Sequence, residues 1–154
     1  MNTYTVSFFG HREIENSLET EKRLEVIIAD ILQKNEYVEF LVGREGDFDI
    51  LVSSVIKRTI DKNGNDKAAM VLVLPYLKSE YVKNEKSFLE YYNEVEICEE
   101  SSKAYYKSAI QIRNKCMVNR SDLVVYYIRH KNGGAYSTIC YAQKQNCRII
   151  NVAE

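Results

Sequence analysis

Three short stretches of the sequence place glycines beside charged or hydroxyl side chains. They are residues 10–12 (GHR), residues 43–49 (GREGDFD) and residues 132–138 (NGGAYST). Glycine lets the backbone approach a ligand closely, and the N–H groups at the start of a helix favour anions. Arginine adds charge-assisted hydrogen bonds to phosphate or carboxylate groups. Together the three stretches indicate a binding site for a phosphorylated molecule.

The candidate binding residues come from these stretches and from a later helix and strand. Arg12 and Arg113 would supply positive charge, and the phosphate would lie on the N–H groups that follow Gly43 and Gly133. The full set of candidates is Gly10, His11, Arg12, Gly43, Arg44, Gly46, Asp49, Arg113, Asn114, Asp122, Gly133, Gly134, Tyr136, Ser137 and Thr138.

Each stretch also has a purely structural interpretation. The second stretch can be a strand-to-helix turn capped by Asp47 or Asp49, and the hydroxyls of Ser137 and Thr138 can cap a helix. Arg113 can be a surface cation or half of a salt bridge. No GxGxxG or P-loop spacing is present, so the usual dinucleotide and triphosphate fingerprints are absent.

Apolar runs alternate with amphipathic helical patterns along the chain. The predicted strands are residues 4–9, 38–42, 68–75, 95–98, 122–128 and 148–152. The predicted helices are residues 17–35, 48–64, 104–120 and 135–146, with a polar loop holding a helical piece at 77–93. This alternation predicts an α/β fold: one domain over residues 1–154, with a mainly parallel sheet of five or six strands and helices on both faces.

The predicted sheet explains how distant residues meet. In parallel sheets, ligands bind beyond the carboxyl ends of the strands. All three glycine-bearing stretches directly follow a predicted strand, so we expect them to line one rim.

Composition limits the classes of partner. The 154 residues include 21 Lys plus Arg and 22 Asp plus Glu, for a net charge of -1. This balance argues against general nucleic-acid binding but permits a local basic pocket. The start of the chain lacks a signal-peptide pattern, and no apolar run approaches the ~20 residues that span a bilayer. We therefore expect a cytoplasmic protein without a membrane partner.

The four cysteines show no CxxC spacing. Closely paired metal ligands are therefore missing, and a disulfide framework is not expected in a cytosolic chain. The cysteines are predicted to pack as small, reduced hydrophobic side chains, and neither a metal site nor a cofactor is expected.

An ordered set of motifs spans residues 5–152. The segments are FFGHRE, FLVGREGDFDILV, IRNKCMVNRSDLVVYYI, NGGAYST and CRIINV. In this order they resemble the small, single-domain SLOG proteins of Firmicutes and their phages. That superfamily also includes LOG phosphoribohydrolases, YpsA-like proteins and the DNA-processing protein A family. The resemblance implies a Rossmann-like fold with strand order 4-3-2-1-5-6, and it leaves a homo-oligomer open.

The resemblance also implies a ligand class. It favours binding or sensing of a phosphorylated, nucleotide-derived small molecule at the rim, with an N-glycosidic hydrolase of the phosphoribohydrolase kind as the alternative. Asp49 or Asp122 would hold a ribose hydroxyl or brace the loops, and Tyr136 would stack on a base. His11 would position the ligand or order its own loop, in preference to acting as a general acid or base.

One departure from the LOG pattern bears on catalysis. LOG enzymes carry PGGxGTxxE, with a catalytic glutamate. When Gly133 and Gly134 are aligned with the glycine pair of that motif, Cys140 falls at the glutamate position. Phosphoribohydrolase chemistry by the LOG route is therefore in doubt, and Cys140 is expected to pack within its helix in preference to acting as a nucleophile.

Overall fold

Six apolar stretches form one parallel sheet in the computed structural model, which describes residues 2–63 and 66–154. The strands are β1 (Thr3–Gly10), β2 (Tyr37–Val42), β3 (Ala68–Leu74), β4 (Glu94–Ile97), β5 (Leu123–Tyr127) and β6 (Arg148–Asn151). Their order is β4-β3-β2-β1-β5-β6, and every neighbouring pair is parallel. The predicted α/β class and strand order are confirmed.

Helices connect the successive strands of the sheet. They are α1 (Ser17–Lys34), α2 (Asp47–Asn63), α3 (Ser79–Lys83), α4 (Glu85–Tyr91), α5 (Glu99–Ser102), α6 (Tyr106–Asn119) and α7 (Gly134–Lys144). The four long helices lie where their apolar periodicity predicts them. The predicted end of α2 at Asn63-Gly64 falls partly on Gly64, which is outside the described residues.

Alternation along the strands gives the sheet two apolar faces. Phe8 and Phe40 face one side, where they pack in a core that includes side chains of α1 and α2. Phe9 and Leu41 face the other side, where α6 and α7 cover them. From β1 the chain first adds strands on one side of the sheet, starting with β2, and then adds β5 and β6 on the other side. This change of direction leaves a crevice beyond the carboxyl end of β1.

Within residues 2–63 and 66–154, no helix combines the length and apolar character that crossing a bilayer requires.

Candidate functional site

A cavity of about 490 Å³ opens at the carboxyl ends of β1 and β2, between α6 and the start of α7. It lies at the point in the sheet where the strand order reverses, as the topology predicts. The sequence-predicted residues that line it are Gly10, His11, Arg12, Gly43, Asp49, Arg113, Asn114, Gly133 and Gly134.

His11 braces the loop that follows β5. Its Nε2 accepts hydrogen bonds from the backbone N–H groups of Arg129 and His130, at 3.0 Å and 3.4 Å. The His11 ring stacks on the His130 ring with centroids 3.7 Å apart. Burial, and then the neighbouring His130, lower the pKa of His11. A neutral ring whose Nε2 already accepts two hydrogen bonds orders the loop, which is one of the two roles predicted for it.

Gly46 and Gly10 both allow close contacts next to the cavity, and Gly46 lets the loop after β1 touch the loop after β2. A Cβ on Gly46 would lie 2.5 Å from the Cα of Arg12, and the N–H of Asp47 donates to the carbonyl of Arg12 at 2.8 Å. A Cβ on Gly10 would overlap the ring of Phe48. The close neighbour of Gly10 is thus a core side chain of α2, although Gly10 also lines the cavity.

Arg113 is committed to the protein. Its guanidinium is buried and donates to Glu45 Oε1 at 2.5 Å, to the carbonyl of Val73 at 2.9 Å and to Asn114 Oδ1 at 3.0 Å. Burial raises the pKa of Glu45, but the Arg113 and Lys78 charges outweigh this effect and hold the pKa below its ordinary value. Arg113 is thus half of a salt bridge, and the expectation of an arginine free to grip phosphate is corrected.

Asp49 adds a second carboxyl group to the cavity floor. Its Oδ2 accepts the backbone N–H of Glu45 at 2.8 Å. Burial raises the pKa of Asp49 to about 6, and the nearby Glu45 carboxylate acts in the same direction. With two carboxyl groups beside Gly43, the start of α2 does not favour a phosphate there, contrary to the sequence expectation.

The start of α7 presents backbone N–H groups to the cavity. Gly133 precedes the helix with φ 91°, and Gly133 and Gly134 are exposed. No atom lies within 4 Å of a Cβ built on Gly133, so the positive φ is what favours glycine at this position. This helix end combines open space with the positive end of a helix dipole.

The other predicted residues lie outside the cavity. Arg44 pairs with Glu80 at 2.9 Å, and Asp122 Oδ2 accepts the N–H of Thr5 at the opposite, amino end of the sheet. The remaining residues of this kind are Gly46, Tyr136, Ser137 and Thr138. The hydroxyls of Ser137 and Thr138 donate to carbonyls one turn earlier in the chain.

Sequence reasoning missed several residues at the cavity. Glu13, Glu45, Lys107, Gln111 and His130 line it. Glu45 lies within the second glycine-bearing stretch, between Arg44 and Asp49, and this position could have marked it as a candidate site residue. Lys107 is one of two exposed lysines on α6, and the sequence pattern does not mark it as a rim residue.

Known proteins resemble this chain in structure. No protein-family model matches the chain, and no curated protein matches it. DNA processing protein A from Helicobacter pylori, in a structure that describes its single-stranded DNA binding mode, superposes with a TM-score of 0.65 at 15% identity, over 95% of this chain and 63% of that one. DNA processing protein A from Streptococcus pneumoniae gives a TM-score of 0.53 at 9% identity, over 97% and 59%. This chain therefore spans less than two thirds of either protein.

This likeness overturns two expectations. A protein with this fold binds single-stranded DNA. The prediction of a phosphorylated small molecule as the ligand is therefore wrong, and so is the prediction of no general nucleic-acid binding. The hydrolase alternative gains no support. The sequence resemblance to the SLOG superfamily agrees with the structural likeness, because this chain has the Rossmann-like fold of DNA processing protein A.

Proposed function

We propose that this chain binds single-stranded nucleic acid across the mouth of the rim cavity. The observation that carries the proposal is a pair of exposed tyrosines directly before an exposed lysine of the cavity wall. Tyr105 and Tyr106 are each 63% exposed, their ring centroids are 5.2 Å apart, and Lys107 follows them at the start of α6. Single-strand binders combine aromatic side chains, on which bases stack, with cations that follow the phosphates.

Unpaired cations surround the same mouth. Arg12 and Lys107 line the cavity, are exposed and form no ion pair with any residue that the structure describes. Arg129 and Lys131, in the loop after β5, are also exposed. In contrast, Arg113 is neutralised by Glu45 below them. Arg12 and Lys107 therefore outnumber Glu13, the exposed carboxylate that also lines the cavity, whereas at the floor the Arg113–Glu45 salt bridge leaves the negative charge on Asp49.

This separation of charge bears on where a strand would lie. The phosphates would contact Arg12, Lys107 and the N–H groups at the start of α7, and unpaired bases would stack on Tyr105 and Tyr106. The acidic floor would repel phosphates, so a single strand of nucleic acid would cross the mouth of the cavity and would not enter it deeply. The net charge of -1 is compatible with this arrangement, because only local charge contributes to the contact.

Fluorescence anisotropy of a labelled single-stranded oligothymidylate tests the proposal over a series of salt concentrations. Each phosphate contact contributes about 0.7 to the slope of log affinity against log salt for a single strand. Arg12→Ala and Lys107→Ala should therefore each reduce the slope by about 0.7. Arg148→Ala and Lys34→Ala are the matched controls, because both residues lie at the amino end of the sheet and should leave the slope unchanged.

The tyrosines provide an independent test. Stacking of one base is worth roughly 1–3 kcal/mol, so Tyr106→Ala should weaken binding by about fivefold to 150-fold, whereas Tyr106→Phe keeps the ring and should bind normally. A duplex competitor should displace the oligonucleotide poorly, since its bases are already stacked. The proposal fails if no binding occurs at low salt, or if the control variants lose as much affinity as the rim variants.

We also propose a family and a cell compartment for this chain. We assign it to the small single-domain SLOG proteins, which the ordered motifs over residues 5–152 support. We also assign it to the cytoplasm, where its four free cysteines would remain reduced.

A further inference from the structure

Two cysteines and a glutamate that are separated in sequence meet on the face of the sheet that α6 covers. Cys98 ends the segment after β4, Glu100 lies in α5, and Cys116 lies in α6. Their ligand atoms all lie within 4.8 Å of one another. Glu100 Oε2 is 3.6 Å from Cys98 Sγ and 3.7 Å from Cys116 Sγ. The carboxylate therefore sits between the two sulfurs.

The two sulfur–oxygen distances match two edges of a tetrahedral zinc site, and the two sulfurs lie within 4.8 Å of each other. Zinc binds thiolate sulfur at about 2.3 Å and carboxylate oxygen at about 2.0–2.2 Å. Two such bonds at a tetrahedral angle place sulfur and oxygen about 3.5 Å apart, and two sulfurs about 3.8 Å apart. The observed separations of Glu100 from Cys98 and Cys116 lie within about 0.2 Å of the first value. Little movement would be needed to enclose an ion.

We infer that Cys98, Cys116 and Glu100 form a binding site for Zn²⁺, with water in the fourth position. Binding forms two Zn–S bonds and one Zn–O bond. Each thiol releases its proton to the solvent, and the carboxylate of Glu100 needs to lose none. The site is separate from the rim cavity, so this inference does not depend on the proposed nucleic-acid binding.

The surroundings explain why the group would accept a cation. Cys98 is buried, Cys116 is half-buried and Glu100 is exposed, so the group is anchored in the core and open on one side. Once deprotonated, these three groups would repel one another at this separation, because each would carry negative charge. A divalent cation reverses this repulsion and stabilises both thiolates. The ion would also tie α5 to α6.

Titration of the reduced, full-length chain with Co²⁺ is the direct test, because cobalt takes the same ligands and reports thiolate bonds by a charge-transfer absorption band. We expect one ion per chain, displacement by Zn²⁺, and release of up to two protons per zinc in weakly buffered solution. Zinc should also raise the Tm of the protein, and a chelator should reverse that shift.

Variants then assign the ligands. Loss of a group that only orients a metal ligand costs roughly 10–100-fold in affinity, so Cys116→Ser and Glu100→Gln should each weaken Co²⁺ binding by at least about tenfold. Cys116→Ser should also reduce the charge-transfer band. Cys140→Ser and Glu99→Gln are the matched controls, since Cys140 lies on α7 and Glu99 pairs with Lys103.

Both test variants should fold normally, because Glu100 is exposed and Cys116 is only half-buried. The inference is overturned if the reduced chain binds no Co²⁺ with a thiolate band. It is equally overturned if Cys116→Ser and Glu100→Gln bind Co²⁺ as tightly as the unmodified chain does. The same holds if Cys140→Ser and Glu99→Gln lose as much affinity as Cys116→Ser and Glu100→Gln.

Discussion

Replacement of Asp49 by asparagine should stabilise the protein at neutral pH. Burial raises the pKa of this carboxyl to about 6, from an ordinary value of 3.8. One pK unit corresponds to about 1.4 kcal/mol, so the ionised form costs the folded state up to roughly 3 kcal/mol. Asparagine carries no charge, and its side-chain oxygen can still accept the N–H of Glu45. The variant should therefore avoid the cost and keep the hydrogen bond.

The sign of the pH dependence follows from proton binding. Between pH 3.8 and about 6, the folded state holds a proton on Asp49 that the unfolded state has released. The free energy of unfolding contributed by this group therefore falls as pH rises through this window. The advantage of Asp49→Asn should be absent near about pH 3 and should approach its full value of up to ~3 kcal/mol at about pH 8. His11 titrates in both proteins, so its contribution cancels in the difference.

Urea denaturation of both proteins at the two pH values measures this difference. Asp61→Asn is the control, because Asp61 is exposed on the same helix and its replacement should change stability by no more than about 0.5 kcal/mol. If Asp49→Asn is no more stable than the unmodified chain at the higher pH, or gains equally at both, the explanation from burial is wrong.

Three other substitutions test the packing around the cavity. Glu45→Ala should lower the free energy of unfolding in urea by about 3–5 kcal/mol, because it leaves the buried Arg113 without its carboxylate; exposed Glu13→Ala should change it little, and equal losses would contradict this. Gly10→Ala should cost about 1–3 kcal/mol by calorimetry, since the methyl group overlaps Phe48, and an unchanged Tm would refute the overlap. Gly133→Ala should cost about 1 kcal/mol in urea from its φ of 91° alone, and no loss would show that the loop adapts.

The fold could be predicted because its signals are local and repeated. Each strand is a short apolar run, each long helix has its own period, and the alternation of the two dictates a parallel sheet. Helix α5 was not predicted, because four residues are too few to show a helical period. Two short helices, α3 and α4, take the place of the polar loop with one helical piece expected at 77–93.

The site was harder to predict because its contacts join distant residues. The rim could be located, since strand ends must meet at one edge of the sheet. The partner of Arg113, however, is 68 residues away, so the sequence alone could not distinguish a free cation from a paired one. Likewise, Cys98 and Cys116 show no metal-ligand spacing, and only the packing of α5 against α6 brings their sulfurs together. The predicted phosphate ligand depended on Arg113 being free, and only the structure shows that Glu45 pairs with it.

The central position of β1 has a consequence for how the chain folds during synthesis. One edge of β1 pairs early with β2, but the other must wait for β5, and the hydrogen bond from Thr5 to Asp122 closes a separation of 117 residues. Until then, a strand edge with unpaired N–H and C=O groups lies beside an apolar face that α6 has not yet covered. Such an edge can recruit strands from other chains. The nascent chain is therefore most prone to aggregation just before α6 and β5 emerge from the ribosome.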